Sequence, residues 1–600
     1  MVQEIRSMPD GDVKSSVVDK ADLFVKLNEL KAQNARFLTI TAIDHGENIE
    51  VVYNFEVDSG VVNLSVNTGK EEPIASITSV YGAAFVAENE VQDLFNLKFS
   101  GLNVDLGGKM LKVETAKETT LLKPLVGERP PIMRFYGRCR EECPAMVNIP
   151  RYVRQIAAGD PEGAYNTVME MAPIPAILGR VCFAPCQDGC RQENRERPIQ
   201  IRLLKRYAAD SMKSLKRDIK RAEATGKRIA IIGGGPAGIT AAYYLGMKGH
   251  NVTLYEKRSR NGGAMLWGIP KYRLPKDILE EETTARFEEA GVKFVPNSEI
   301  LELDPLFEEG FDAIYVAIGA QVSNRLRVEG ENAPGIIDYM DLLTAVNVRN
   351  ETPDLGDKVI VIGGGNAAID AARTSKRLGV RDVTLYYRRT ETEMPALLHE
   401  IHEAMREGVS FDFLSQPIKI IQGERLAMAF QCMIPGEPDE SGRRRPVPLE
   451  GAIIMREADT IVKAIGCVVA VPDGYGLKVN RRGWIEVDEE YRTSREGVWA
   501  GGDAVYGPRI VIEAIRDGRK AASSIDKYLG GDGLPEPYID MDEFVPRPEN
   551  LENVKELAQV EGRVLPANTR IRGFDEVELG FNEEEAVKEA SRCWRCDWNE

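Results

Sequence analysis

The period of hydrophobic and polar positions changes several times along this chain. Residues 22–33 carry apolar side chains at helical spacing. Residues 36–44, 49–57 and 61–66 alternate apolar and polar, as half-buried antiparallel strands do. A helical period returns over 81–95, whereas residues 1–16 show neither period and read as a loose tail. Residues 1–125 therefore predict a small α+β module. It holds no cysteine, no glycine phosphate loop and no cluster of catalytic residue types. After a Gly- and Pro-bearing linker at 127–131, residues 149–158 and 163–171 read as helices, and 201–224 as one long basic helix.

From 223 onward the apolar positions gather in short unbroken runs, the mark of strands buried on both faces. The run 229–232 leads to a helix over 239–247 and a strand over 251–255. A second run, 358–362, repeats the order, with its second strand at 383–387. Further apolar runs end at Gly319 and Gly466, and residues 510–528 form a helix. The chain then turns acidic and proline-bearing, with a helical pattern again over 583–593. The fold class is α/β. Two Rossmann-like dinucleotide-binding domains follow a helical cysteine-bearing domain and the α+β module. The expected boundaries are 1–125, 126–222, 223–345, 346–465, 466–535 and 536–600, with 223–345 and 466–535 two parts of one domain.

The turn after the first run carries the clearest chemistry. Gly233, Gly235 and Gly238 stand at GxGxxG spacing, and Pro236 and Ala237 open the helix. The first glycine allows the tight turn, the second lets a pyrophosphate approach the backbone, and the third lets helix and strand pack closely. Free N–H groups at the helix start favour phosphate, and Glu256, followed by Lys257, stands where a ribose hydroxyl needs an acceptor. The second copy reads Gly363, Gly365, Asn366, Ala367 and Ala368, with Tyr387, Arg388 and Arg389 where the first has Glu256. An acid there would repel a 2′-phosphate, and arginines would bind one. The first unit therefore reads as FAD-binding and the second as NADP-binding.

Composition adds limits. A formal net charge of −17 argues against nucleic acid or an anionic membrane as main partner. No apolar run reaches the ~18 residues of a membrane helix. Residues 1–16 lack the apolar core of a signal peptide, which points to the cytoplasm. Nine cysteines without such a signal point to metal or redox chemistry rather than disulfides. Cys139, Cys143, Cys182, Cys186, Cys190, Cys593 and Cys596 lie near turn-forming prolines and glycines, as ligands of zinc or of an iron–sulfur core. Pro144, directly after Cys143, favours iron–sulfur. Cys432 and Cys467 stand alone and read as core thiols.

Two family resemblances extend this reading. With its Cys143-Pro144 pair, the run from Gly179 to Cys190 and the flavin motifs, the stretch 130–530 resembles the small subunit of glutamate synthase. Its relatives include the NADPH-binding subunit of NADH-dependent ferredoxin:NADP oxidoreductase and the N-terminal half of dihydropyrimidine dehydrogenase. The resemblance implies two [4Fe-4S] clusters in the helical domain. Those relatives begin with a Cys-x-x-Cys pair where this chain has Arg-Phe-Tyr-Gly at 134–137, and the missing piece reappears as Arg592-Cys593-Trp-Arg-Cys596. By resemblance, Cys593 and Cys596 complete one cluster with Cys139 and Cys190, and Cys143, Cys182 and Cys186 hold the other. The relatives' fourth ligand there is a glutamate or glutamine. Here Lys205 aligns with it, leaving Gln192, Glu193, Gln200 or water as candidates.

The same resemblance assigns Gly263, Met265, Leu266, Gly268 and Arg273 to a flavin-contacting loop. It makes Ala317, Gly319 and Gly466 part of the crossings between the two domains. It sets Gly502 and Asp503 at the flavin ribityl chain, and Ile510 at the start of a helix aimed at the flavin ring. Residues 76–101, with Glu88, Glu90, Asp93, Leu94 and Phe95, resemble the 30 kDa subunit of complex I, the respiratory NADH dehydrogenase. This implies a docking domain, although Asn89 and Asn96 depart from that family's pattern.

The expectation is an NADPH-preferring oxidoreductase subunit. Hydride passes between NADP(H) and FAD, and single electrons pass through the clusters to partner redox subunits. No side chain is assigned as catalytic acid or base. The complex would be of transhydrogenase or hydrogenase type, electron-bifurcating forms included. The alternatives are a glutamate synthase small subunit and a non-catalytic assembly subunit.

Overall fold

The computed structural model describes residues 13–105, 137–213, 220–535, 557–594 and 596, apart from 47, 58, 59, 71, 83, 195, 196, 440 and 441. The chain divides into two compact units, Met1–Arg134 and Phe135–Glu600. The expected boundary at 125 and the linker 127–131 lie outside the described residues.

In the first unit a four-stranded sheet runs in the order Val13–Val17, Gly60–Gly69, Asn48–Val57, Arg36–Asp44. Ile49, Val51, Tyr53 and Phe55 alternate inward and are fully buried. Helix Leu23–Ala32 adds Leu23, Leu27 and Leu30, one helical face, to the same core. The strand Val13–Val17 corrects the reading of residues 1–16 as tail. It pairs in parallel with Gly60–Gly69, from Val13 against Val61 to Val17 against Ser65. Backbone pairing at an edge holds it rather than burial, since Val17 is 63% exposed, so its sequence carries no strong period. In helix Ala84–Phe95, Glu88 is fully buried and bonded by the Ser76 hydroxyl (2.6 Å) and the Ile77 N–H (2.7 Å). That part of the motif is a structural bolt.

The second unit begins with short helices, chiefly Ile149–Ala157, Pro161–Met169, Pro175–Val181 and Ile201–Ser211. The last is shorter than the expected 201–224. Residues 220–227 run without helix, with the Ala222 N–H on Met247 O and the Thr225 N–H on Gly249 O, so the chain lies against the 247–249 turn before entering the sheet.

Two five-stranded parallel sheets follow. The first orders Val498–Ala500, Ala313–Val316, Arg228–Ile232, Asn251–Tyr255, Lys293–Val295. The second orders Ile336–Asp338, Thr460–Lys463, Lys358–Ile362, Asp382–Tyr387, Ser410–Phe413. In both, the strand before the glycine turn is central, which puts the turn at the carboxyl edge where such sheets bind ligands. A two-stranded ribbon, Val322–Ser323 with Cys467–Val468, forms where the chain crosses between the sheets. An antiparallel sheet of Ser415–Gln422, Leu426–Pro438 and Arg444–Ala458 extends the second domain.

The C-terminal arm returns to the helical domain. Its helix Glu583–Ala590 packs on Ile149–Ala157. Arg202 forks onto Glu578 (2.5 and 2.6 Å), and Arg180 pairs with Glu576 (2.8 Å).

Candidate functional site

The three glycines of the first unit meet three different steric demands. Gly233 has φ +108°, and a Cβ there would lie 2.3 Å from Ala317 O on the neighbouring strand's return. A Cβ on Gly238 would lie 1.9 Å from Gly233 O, while Gly235 faces open space. The Glu256 carboxylate accepts the Gly234 N–H (2.8 Å) and the Arg258 N–H (2.9 Å), which fixes it at the rim. A cavity of about 240 Å3 opens here. Most residues expected for FAD line it: Gly233, Gly235, Pro236, Ala237, Glu256, Gly263, Met265, Gly268, Arg273, Ala317, Gly319, Gly502, Asp503 and Ile510. Gly238 packs the helix instead, Leu266 is core, Lys257 is exposed, and Gly466 lines the second cavity.

Burial pushes the Asp503 carboxyl up to about 7, against the Arg509 N–H that it accepts. Gln321, also in the wall, gives its Nε2 to Ile318 O (2.9 Å), and its buried Oε1 has no partner, as an acceptor waiting for a ligand donor does. An open Gly235, a helix start and this orphan acceptor fit a flavin dinucleotide.

The second cavity, about 820 Å3, is lined by Gly363, Gly365, Asn366, Ala367, Arg388 and Arg389. Ala368 is buried behind them. Gly365 again faces open space. The Tyr387 ring covers Gly364, whose Cβ would meet it at 2.3 Å, and its hydroxyl donates to Glu393 O (2.9 Å). The two arginines differ. Arg389 is buried, pairs with Asp439 (2.6 Å) and donates to Arg444 O (3.0 Å), whereas Arg388 is exposed. The Leu397 N–H donates to Asn366 Oδ1 (2.9 Å), which fixes that amide and leaves its buried Nδ2 without a partner. These features fit a phosphorylated dinucleotide.

A third cavity is lined by Cys139, Cys190, Cys593 and Cys596, so the arm brings its cysteine pair beside two from the helical domain. Arg592 anchors it. The fully buried guanidinium donates to Leu557 O (3.0 Å), Arg197 O (2.9 Å) and Glu589 (2.8 Å), and Gln192 donates to Arg592 O (2.7 Å). Burial, then the neighbouring thiols led by Cys593, pushes the Cys139 thiol up. Cys143, Cys182 and Cys186 form a second, buried group, where burial raises the Cys143 and Cys186 thiols. Left-handed φ at Met146 (+53°) and Ala184 (+52°) turns the loops beside Cys143 and Cys182. Among the described residues no three His, Cys, Asp or Glu side chains converge as ligands of a single ion. Thiolates around an iron–sulfur core stand further apart, each on its own iron.

Gln192, a candidate fourth ligand, belongs to the third cavity. The Gln200 N–H caps onto Glu589 (2.8 Å), and the Glu193 side chain lies outside the described residues. Cys432 and Cys467 are both half-buried, and Cys467 bonds the Tyr339 hydroxyl in the second cavity's wall.

Residues 227–518 match the pyridine nucleotide-disulphide oxidoreductase family. Residues 135–217 match the family described as dihydropyrimidine dehydrogenase domain II, 4Fe-4S cluster, and 16–116 the respiratory-chain NADH dehydrogenase 30 kDa subunit family. The NADP(+)-dependent formate dehydrogenase subunit beta of Moorella thermoacetica is 37% identical over 499 residues, 76% of this chain and 70% of that one. The NADPH-Fe(3+) oxidoreductase subunit beta of Geobacter sulfurreducens is 34% identical over 518 residues, 78% and 76% of the two chains. The glutamate synthase [NADPH] small chain of Halomonas elongata is 31% identical over 415 residues, 65% and 88%. The chain belongs to this family of NADP(H)-dependent flavin oxidoreductases with a 4Fe-4S domain.

In this oxidoreductase the two dinucleotide cavities share a wall made of Phe183, Tyr339, Asn366, Ala367, Arg509 and Ile510. Phe183 sits between Cys182 and Cys186, so one short loop touches both cavities and the inner thiols. Phe183, Tyr339 and Gln321 escaped the sequence reading, since they come from separate segments with no dinucleotide motif of their own. For Phe183 the Cys182–Cys186 spacing was an available signal. Arg273 does more than border the flavin cavity. It pairs with Asp370 (2.8 Å) and Glu400 (3.1 Å) of the second domain. Its neighbour Tyr272 lies under Arg377 at 3.8 Å and Arg373 at 4.9 Å. The flavin loop thus clamps one domain to the other. No helix among the described residues is long and apolar enough to cross a membrane.

Proposed function

We propose that this chain is the NADPH-oxidising subunit of a larger redox enzyme, exchanging a hydride between NADP(H) and FAD and single electrons with two four-iron clusters. The supporting observation is the shared wall, where Phe183 borders both cavities beside Cys182 and Cys186. Bound FAD supplies the chemistry of taking two electrons as a hydride and releasing them singly. The protein's part is positional. Gly233, Gly235 and the helix Pro236–Met247 would seat one pyrophosphate, and Gly363, Gly365 and the helix Asn366–Arg377 would seat the other. Phe183, Tyr339 and Ile510, in the wall that the two cavities share, would exclude water there. The loop of the buried trio Cys143, Cys182 and Cys186 borders the first cavity through Val181 and Phe183, whereas Cys139, Cys190, Cys593 and Cys596 line a separate cavity. Electrons would leave through the outer set.

Arg388 would meet the 2′-phosphate, which makes NADPH the preferred nucleotide. Residues 1–125 would dock the chain to partner subunits. The formate dehydrogenase relative favours a formate-linked complex, whereas the match of 16–116 to a 30 kDa complex I subunit favours a transhydrogenase or hydrogenase-type partner, bifurcating forms included. The free cysteines suit a reducing compartment such as the cytoplasm. The test is anaerobic reduction of a one-electron dye by the purified chain. NADPH should support it at a far lower KM than NADH. Equal use of both, or no reduction by a FAD-replete chain, would remove the proposal.

A further inference from the structure

We infer that the inner trio Cys143, Cys182 and Cys186 binds its cluster through three protein ligands only, with the ammonium of Lys205 facing the corner where a fourth would stand. This rests on the two-cluster reading above. The outer cavity has four thiols around it, the inner group three. The inner three are nearly sealed, at 6, 7 and 4% exposure. Helix Ile201–Ser211 packs on the helix Pro175–Val181 that leads to Cys182, with Arg202 donating to Gly179 O (3.2 Å) and Arg180 O (3.1 Å), and it buries the face carrying Ile201, Leu204, Lys205 and Ala208. Lys205 is 6% exposed, and its charge acts on the thiols of Cys143 and Cys186.

Several nearby donors among the described residues are committed elsewhere. Gln192 holds Arg592 O in the outer cavity, and Gln187 Oε1 accepts the Arg202 N–H (3.1 Å). The Tyr152 hydroxyl donates to Ile201 O (3.0 Å). The acids along this helix are held by arginines: Glu578 by Arg202, Glu576 by Arg180 and Arg206, and Asp210 by Arg180 and Arg206. An ammonium has no lone pair to give iron. A buried ammonium needs opposite charge nearby, and an anionic cluster on three thiolates supplies it. Lys205 therefore acts by charge. The iron it faces carries only an exchangeable solvent ligand.

Such an iron can be removed by oxidation. The oxidised four-iron core loses one ferrous ion and one electron, the electron passing to an added one-electron oxidant, and three ferric irons remain on the three thiolates. The test uses the full chain purified anaerobically with FAD, titrated with ferricyanide and followed by iron content and EPR. The wild-type chain should fall from about eight irons to about seven. A three-iron EPR signal should appear, and ferrous iron with a reductant should reverse it. In Lys205→Glu, which offers a ligand at that corner, the signal should be absent and the iron retained. Lys205→Met should still convert but at a lower cluster potential, since only a positive charge is lost. FAD content checks that both variants fold. Wild-type chain that keeps every iron and shows no three-iron signal would overturn the inference, as would an unshifted potential in Lys205→Met. An iron content of about four, unchanged in Cys143→Ser, would instead overturn the two-cluster reading itself.

Discussion

Replacing Arg592 with leucine should release the C-terminal arm and empty the outer cluster site while leaving FAD in place. The guanidinium makes three bonds, to Leu557 O, Arg197 O and the Glu589 carboxylate, with no exposure to solvent. Without it, Glu589 stays buried with only the Gln200 and Val560 N–H groups (2.8 Å each) to balance its charge. Breaking one side of a buried pair costs about 3–5 kcal/mol. At about 1.4 kcal/mol per tenfold, docking of the arm weakens by roughly 10² to 10⁴. Two readouts follow: iron per chain, and hydrogen exchange of the helix Glu583–Ala590. Roughly half the iron should be lost, and the amides of that helix should exchange faster. Arg592→Leu with Glu589→Gln should recover part of both, because no unpaired buried charge remains. Unchanged iron and exchange in the single variant would refute this account of how the arm is held.

Four further outcomes are expected. Arg388→Ala should raise the KM for NADPH at least tenfold and leave NADH nearly unaffected. Arg389→Ala, by freeing Asp439, should disturb both nucleotides alike, and the reverse pattern would reassign the 2′-phosphate contact. Asn366→Asp turns an unpartnered donor into an acceptor, so NADPH-driven flavin reduction should slow about tenfold or more; a wild-type rate would mean that Nδ2 meets no ligand. Burial pushes Glu282 up to about 7, against the Ala176 and Ile177 N–H groups and the charges of Arg286 and Arg180. Its folded value lies above the ordinary 4.5, so the stability it lends in acid is lost as pH rises through about 7. Between pH 5 and 8 the melting temperature of Glu282→Gln should therefore climb relative to wild type, and a constant difference would show that Glu282 does not titrate there. Removing residues 1–134 should leave NADPH-dependent dye reduction close to normal and abolish co-purification with partner subunits, whereas loss of FAD would mark the module as a stabiliser.

The dinucleotide units were legible because each glycine answers its own steric demand. A Cβ would strike Ala317 O at Gly233 and Gly233 O at Gly238, and only Gly235 is open. The family resemblance implied that the arm's cysteines return to Cys139 and Cys190, and all four line one cavity. Other features had no local signal. Asp439 takes up Arg389 from a hairpin 50 residues further along the chain, so two adjacent arginines that look alike in sequence stand in different environments, one paired and buried and one exposed. Arg273 reads as a flavin contact, yet its guanidinium is held by Asp370 and Glu400 across the domain boundary. The strand Val13–Val17 exists through backbone pairing, which alternation of side chains does not report. Residues 220–224 belong to a basic stretch of helical composition, but the bonds from Ala222 and Thr225 to the 247–249 turn hold them out of a helix.

The central claim is that NADPH reduces FAD and that the folded-back arm completes the outer cluster. Its most direct measurement is the double variant Cys593→Ser, Cys596→Ser, purified anaerobically, assayed for iron and FAD, and mixed with NADPH in a stopped-flow spectrophotometer. The account predicts full FAD, flavin bleaching at the wild-type rate, about half the iron, and one reduced-cluster EPR signal where the wild type shows two. A variant that keeps all its iron and both signals would contradict it.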